Sequence, residues 1–221
     1  MVRLKVLLWL AALAASLFVP AGTYHWRGAW IFLVVLVGST MALMGWLART
    51  DPALYAERRR KFRHPNQPGW DRRIGLAIGL VWFTWLMAMS LAVRFYGADA
   101  SPLQLGAGIG LIAAGMILCA QSFRANTFAA TSVRLQPERG QRPVDTGPYG
   151  WVRHPIYAAS LLVHSGTFLL LGPRWGGLGY GLLAFLLGLR AVLEERTLKT
   201  GLPGYADYMG RVRWRLIPGI W

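Results

Sequence analysis

The chain is poor in acidic residues. Its 221 positions hold nine Asp and Glu against 24 Lys and Arg, and all charged residues together make up only 15%. A soluble domain carries about a quarter. None of the long apolar runs has an acidic residue at its middle, which argues against proton-coupled transport. There is one cysteine, Cys119, and it lies inside an apolar run. That excludes an intramolecular disulfide and any cysteine-based metal cluster, and the residue reads as a small hydrophobe in a helix. No nucleic-acid-binding module is visible, although the net charge is +15. The basic residues cluster in a few gaps between apolar runs, as in loops that face anionic lipid. Nucleic acid is therefore not an expected partner.

What is abundant is apolar. Hydrophobic residues make up 55% of the chain and tryptophan occurs eleven times, with a mean hydropathy of +0.38. Tryptophan favours the membrane–water interface, where its ring is half buried and its N–H finds a partner. A bilayer span needs about 20 mostly apolar residues, and about six candidates appear. They cover about Leu4–Val19, Trp30–Leu47, Ile74–Phe95, Leu103–Phe123, Ile156–Leu171 and Trp175–Leu193, the last two forming a hairpin that turns at Gly172-Pro173-Arg174. The expected fold class is an all-α polytopic bundle. Residues 1–120 hold the N-terminal spans and a basic loop, and 121–221 a second region of loop, hairpin and tail.

The first run, with Arg3, Lys5 and the small residues Ala11 to Ser16, also resembles a signal peptide; the start at Met1 favours a retained helix. Glycines are dense in the spans, with Gly106 and Gly110 in a GxxxG pattern. Helix packing is the reading for these. They sit within apolar runs and do not follow a strand, so no dinucleotide loop is implied.

Loop charge sets the orientation. Of the 24 Lys and Arg residues, only Arg27, Arg94 and Arg174 fall outside the N-terminus, the second–third and fourth–fifth gaps and the tail. By the positive-inside rule both termini and the two long loops are cytoplasmic.

Three constellations can carry chemistry. The first is Gly147-Pro148-Tyr149-Gly150-Trp151-Val152-Arg153-His154-Pro155-Ile156-Tyr157, a polar, ring-rich patch running into an apolar helix. Such residues at a membrane boundary are costly unless they bind something. His154, Tyr157, Leu161 and His164 share one helical face by their spacing. A structural network is the competing reading, with Arg153 snorkelling to phosphate and His154 capping the loop backbone. The second is Glu194-Glu195 at the end of the last span, where adjacent carboxylates repel each other and oppose the helix dipole. Arg190, four residues earlier, is one candidate partner, and a bound cation is the other. The third is the tail, Tyr205 and Tyr208 followed by Arg211 to Trp221, where basic and aromatic residues alternate. It reads as an amphipathic segment on the bilayer surface anchored by Trp214 and Trp221, with an arginine lining an acidic-substrate site as the alternative. Arg63-His64-Pro65 repeats the tripeptide of the first patch without a following helix, so the tripeptide alone is not diagnostic.

Taken in order, Gly147-x-Tyr149, Arg153-His154-Pro155-x-Tyr157, Gly166, a hairpin, Glu194-Glu195 and Tyr205-x-x-Tyr208 resemble the isoprenylcysteine carboxyl methyltransferase family, part of a wider group with the phospholipid methyltransferases. The resemblance covers about Gln121 to Trp221. It implies an integral membrane methyltransferase using S-adenosyl-L-methionine, and the expected location is a bacterial inner (cytoplasmic) membrane. The implied cofactor residues are Gln121, Tyr149, Arg153, His154, Pro155, Tyr157, His164, Glu194, Glu195, Tyr205 and Tyr208, with Arg153, His154 and Tyr157 as catalytic candidates and no metal. One departure is Gln141, where relatives usually have histidine. On chemical grounds Glu194 or Glu195 suits a positive group, Arg153 a carboxylate held bidentately, and Tyr149, Trp151 or Tyr157 an adenine ring or sulfonium. A carboxylate acceptor needs no base, whereas a thiol or amine calls on His154 or His164. Membrane lipids and a lipidic or amphipathic acceptor are the expected partners. The rival functions are an NADPH-dependent sterol-type membrane reductase and a non-enzymatic membrane scaffold.

Overall fold

Proline and a capping side chain start several of the helices. Pro52 opens α3 (Pro52–Arg58), where the Asp51 carboxylate accepts from Leu54 N at 2.9 Å. Pro102 opens α5 (Pro102–Ala125) behind a Ser101–Gln104 capping box, and Pro155 opens α6 (Pro155–Leu171). Proline suits this position because its missing N–H would be unpaired there in any case. The other helices are α1 (Val2–Ala21), α2 (Arg27–Thr50), α4 (Gly69–Tyr96), α7 (Gly176–Gly201) and α8 (Tyr205–Arg211). The computed structural model describes residues 2–60, 66–97, 100–172 and 176–221, with the side chains of all but Val2, Arg3, Lys5 and Val6. The Arg63-His64-Pro65 repeat, the turn at Pro173-Arg174 and the charges of Arg3 and Lys5 lie outside the described residues and side chains.

The fold is an all-α polytopic bundle. The helices α2, α4, α5 and α7 are each long and apolar enough to cross a membrane, while α6 and the Leu7–Ala21 part of α1 are shorter apolar helices. Large apolar side chains such as Val34, Leu80, Leu103 and Phe185 point outward, as in a helix that is apolar all round. Two helices extend beyond the apolar runs. α4 begins at Gly69, so Asp71 lies in its first turn, and α7 continues past Leu193 to Gly201. Glu194 and Glu195 are therefore inside α7 and not at its C-terminus. The polar stretch Arg196 to Thr200 carries the helix on outside the apolar segment, and hydropathy does not register it.

The core joins α1, α2, α4 and α6 through fully buried Leu13, Leu17, Phe32, Leu86 and Leu170. The helices α5 and α6 touch backbone to backbone. A Cβ at Gly115 would lie 2.7 Å from Ala159 O, and one at Gly166 would lie 2.5 Å from Gly108 O. The GxxxG pair is thus not the packing motif: Gly106 and Gly110 have nothing near their missing side chains, and the helix presents Gly108 and Gly115 instead. Seven residues apart, these two fall on one face over two turns.

All the irregular chain that matters for function gathers at one end of the bundle, where residues 126–154 link α5 to α6. Loops this long are uncommon unless they serve a purpose, and buried charges fix this one. The Asp71 carboxylate, fully buried, accepts from Val133 N at 3.0 Å and from Arg190 Nε at 2.8 Å. Arg134 donates to Glu57 Oε1 from two nitrogens, at 2.8 and 3.2 Å, tying the loop to α3. Arg190 Nη2 reaches Thr131 O at 2.8 Å.

Candidate active site

The geometry of the site starts with Glu195. It is 3% exposed and both its oxygens are engaged. Its Oε1 accepts from Arg153 Nε at 2.6 Å and meets His154 Nε2 at 3.2 Å, and its Oε2 accepts from Arg215 Nε at 2.9 Å. Arg153 in turn donates from Nη1 to Val212 O and Arg213 O at 2.7 and 2.8 Å. One buried carboxylate and one buried guanidinium so fasten the start of α6, the middle of α7 and the tail together. Backbone pairing completes the join: Arg153 N donates to Trp214 O and His154 N to Arg215 O, both at 2.9 Å, beside an isolated parallel bridge between Val152 and Trp214.

This arrangement corrects three expectations. Arg153 does not snorkel, and its Nε and Nη1 are engaged by Glu195 and the tail backbone, so neither two-nitrogen fork is free to grip a ligand carboxylate bidentately. The tail is not merely a surface anchor, because its backbone and Arg215 build the scaffold; Ile220 remains exposed on the outside. Arg190 does not partner Glu194. It turns to Asp71 and Thr131, and its guanidinium lies 5.6 Å from the centre of the Tyr157 ring.

Glu194 is different. Its Oε2 accepts from the Tyr157 hydroxyl at 2.5 Å, with His154 Nδ1 at 3.9 Å. Among the described residues its Oε1 has no partner. The His154 and Tyr157 rings stack in parallel with centroids 5.4 Å apart, which holds the tyrosine at the carboxylate. Of the two adjacent carboxylates, one is structural and the other faces the interior space.

That space is a cavity of about 350 Å³, in the size range of small-molecule sites. It brings together Tyr149, Arg153, His154, Tyr157, His164, Glu194, Tyr205 and Tyr208 from the sequence-derived set. Ser160 replaces Leu161 on the helical stripe, because Ser160 and His164 fall on one side of Tyr157 around α6 and Leu161 on the other. Gly147, with φ +57°, opens the tight turn at Gly147–Gly150 that delivers Tyr149, and Gly204, with φ +78°, turns the chain into α8; glycine takes such angles without a Cβ clash. Tyr208 donates to Tyr149 O at 2.9 Å. Burial pushes the phenols of Tyr149, Tyr205 and Tyr208 above their ordinary range, so they are neutral donors at neutral pH. His164 Nδ1 lies 2.5 Å from Ser160 O. A carbonyl only accepts, so the proton is on Nδ1 and Nε2 keeps its lone pair.

Four predicted residues are not in the cavity lining, Glu195 among them, since it serves the buried ion-pair core. Gln121 is exposed on the far side of α5, in a separate groove with Trp151, Leu216 and Pro218. Trp151 itself is 76% exposed, so it stacks on nothing inside. Pro155 only starts α6. Gln141, at the position of the missing histidine, lines the cavity, and its side-chain carbonyl accepts from Gln136 N at 2.7 Å, pinning the loop. Sequence reasoning missed Arg58, Asn126 and Phe128, which also line the cavity. Arg58 stands in a run of arginines, and no spacing rule separates the one that turns inward.

Fold and site define an α-helical membrane protein whose polar cavity is enclosed by the ends of α6 and α7, a fastened loop and a folded-back tail. Residues 103–201, from α5 through the end of α7, match the phospholipid methyltransferase family. The match agrees with the resemblance read from the motifs, and the family implies methyltransferase activity. No curated protein matches the chain.

Proposed function

We propose that the protein is an integral membrane methyltransferase that uses S-adenosyl-L-methionine to methylate a lipidic or amphipathic acceptor at the cytoplasmic face of a bacterial inner membrane, with both termini on that side. The observation that carries the reading is the Tyr157–Glu194 pair at the cavity, inside the family segment. A carboxylate with one oxygen held and the other free at the cavity suits a cationic ligand group. The tyrosines around it suit a ring or a sulfonium. The residues present therefore fit the cofactor by the chemistry of their donors and acceptors.

When bound, S-adenosylmethionine supplies an electrophilic methyl group on a sulfonium. The chain's own part is to bind, orient and keep out water. Tyr157 fixes the rotamer of Glu194, while the Glu195–Arg153 core fixes the helices that carry both. A rigid, preorganised site of this kind lowers the entropic cost of alignment. With a carboxylate acceptor no proton has to move. With an amine or thiol acceptor, His164 is the base, because its Nε2 lone pair is available and His154 is engaged by Glu195.

The test is label transfer from radiolabelled S-adenosylmethionine to a total membrane lipid extract by the purified protein, alongside titration with S-adenosylhomocysteine and NADPH. Labelled lipid and S-adenosylhomocysteine binding are expected. Binding of NADPH alone would favour a reductase. No labelled lipid, thiol or peptide, and no nucleotide binding, would leave a scaffold.

A further inference from the structure

We infer that Arg58 forms an oxyanion subsite in the cavity, taking a carboxylate or phosphate group of the bound ligand. The inference rests on reading the cavity as a ligand site and adds to it a residue from the N-terminal half, outside the family segment.

Three arginines that turn inward have an acid waiting. Arg134 meets Glu57 and Glu138, Arg153 meets Glu195, and Arg190 meets Asp71. Arg58 does not. Among the described residues no carboxylate lies within ion-pair distance of it, and the undescribed stretch beside it, Lys61 to Pro65, contains no acid. Its guanidinium sits 4.3 Å from the centre of the Phe123 ring, and Nη1 donates to Ala129 O at 2.7 Å. That uses one of five N–H donors. The others belong to a side chain that lines the cavity.

Arg58 is half-buried, and a cation withdrawn from water without a counter-ion is costly. Burial first, and then the neighbouring Arg190 charge, push the Arg58 pKa below its ordinary range, the direction expected when no counter-ion is at hand. The local fold nevertheless holds the side chain in place. Asp51 and Pro52 start α3, and Leu54, one turn before Arg58, is fully buried, so the face carrying Arg58 is turned inward. The cavity is thereby lined by an unpaired cation from α3, and by Glu194 from α7 with its free oxygen. Among the described residues, Glu194 is the one acid in its lining. A ligand with separated positive and negative groups matches that polarity.

The oxyanion has two available sources, the amino-acid carboxylate of the cofactor and an acidic head group on the acceptor. Calorimetric titration of the purified full chain in detergent separates them with matched pairs. S-adenosylhomocysteine is compared with its carboxamide, and hexanoate and hexyl phosphate with hexanamide. Wild type should prefer the acid in at least one pair by about tenfold or more, the effect of a charge-assisted hydrogen bond. Arg58→Gln should abolish that preference and Arg58→Lys should reduce it, because an ammonium lacks the planar fork. A preference in the first pair identifies the cofactor carboxylate, and one in the second the acceptor head group. No acid preference in wild type overturns the inference, as does a preference that Arg58→Gln retains. If Arg58→Gln does not fold, an unreduced preference in Arg58→Lys overturns it. S-adenosylhomocysteine binding without acid preference would sink the subsite and spare the methyltransferase reading. Arg58-dependent binding of hexyl phosphate without S-adenosylhomocysteine binding would do the reverse.

Discussion

Glu194 and Glu195 are chemically identical neighbours, and the structure assigns them opposite tasks. Glu195→Gln keeps the shape of the side chain and removes its charge. Arg153, whose side chain is 5% exposed, is then left without a counter-ion, and a neutral amide cannot accept from Arg153, His154 and Arg215 together without turning its own N–H₂ toward one of them. Breaking a buried pair from one side costs about 3–5 kcal/mol. The Arg215 contact adds little, since that side chain is 29% exposed and solvent screens it. A loss of about 3 kcal/mol is more than a hundredfold in the unfolding equilibrium. Glu194→Gln leaves its oxygen still accepting from Tyr157 and strands no buried cation, so about 1 kcal/mol or less is expected. The two variants are compared by unfolding in mixed micelles of rising SDS fraction, with S-adenosylhomocysteine affinity measured on the folded protein. Glu195→Gln should unfold at a much lower SDS fraction. Glu194→Gln should unfold close to wild type but lose ligand affinity. Equal midpoints for wild type and Glu195→Gln, or the two phenotypes exchanged, would refute the division of labour.

Other outcomes follow from the same contacts. Tyr157→Phe removes the donor that orients Glu194 and should weaken S-adenosylhomocysteine binding by about tenfold, the worth of a hydrogen bond to a charged group; unchanged affinity by calorimetry would show that Glu194 needs no orienting. Asp71→Asn leaves Arg190 short of its counter-ion and loosens the 131–133 segment. It should lower the SDS midpoint by an amount comparable to Glu195→Gln and expose the loop to limited proteolysis. Gly166→Ala forces α5 and α6 apart and should cost about 1–3 kcal/mol, read as a fall in thermal midpoint in detergent. Gly106→Ala meets open space and should leave the midpoint unchanged or slightly raised; equal effects of the two would mean that the helices do not pack through Gly108 and Gly166.

The apolar spans were legible because lipid imposes a single requirement on a helix, a long run without charge, and every such run is a helix. Their ends were not legible, since hydropathy stops at the last apolar residue while α4 and α7 carry Asp71 and Glu195 on polar turns beyond it. The ring of site residues was legible as a group through motif order and helical spacing, which placed Tyr157 and His164 on the cavity side of α6. Their individual duties were not. Arg153 and Glu195 read as ligand contacts when only their charges are known; it takes the tail, folded back from Val212 to Arg215, to show that they satisfy each other. Burial of a charge is resolved by partners far apart in the chain, and no local pattern encodes these partners.

That separation explains why the cavity draws on both halves of the molecule. The segment that matches the family supplies α5, the loop, α6 and α7, and within it the inward charges are mostly self-satisfied or tied to fastening acids. A cavity whose wall is fully paired has little electrostatic preference left for a charged ligand. Among the described lining residues that are at least half-buried, the free oxygen of Glu194 and the guanidinium of Arg58 stand apart from this pairing, and they come from α7 and α3. Arg142 also lines the cavity without an ion pair, but it is exposed. Because α3 is held by Asp51 at one end and by the Glu57–Arg134 pair near the other, its arginine is positioned by the same loop that covers the cavity. Loop order and ligand charge recognition are then one property: a variant that releases residues 131–134 should lose the acid preference attributed to Arg58 even with Arg58 intact. Arg134→Met is the substitution that tests it. It strands Glu57, but Glu57 keeps Arg60 at 3.2 Å on the exposed side, so the helix has a remaining partner. Retention of the full acid preference in folded Arg134→Met protein would show that α3 holds Arg58 without help from the loop.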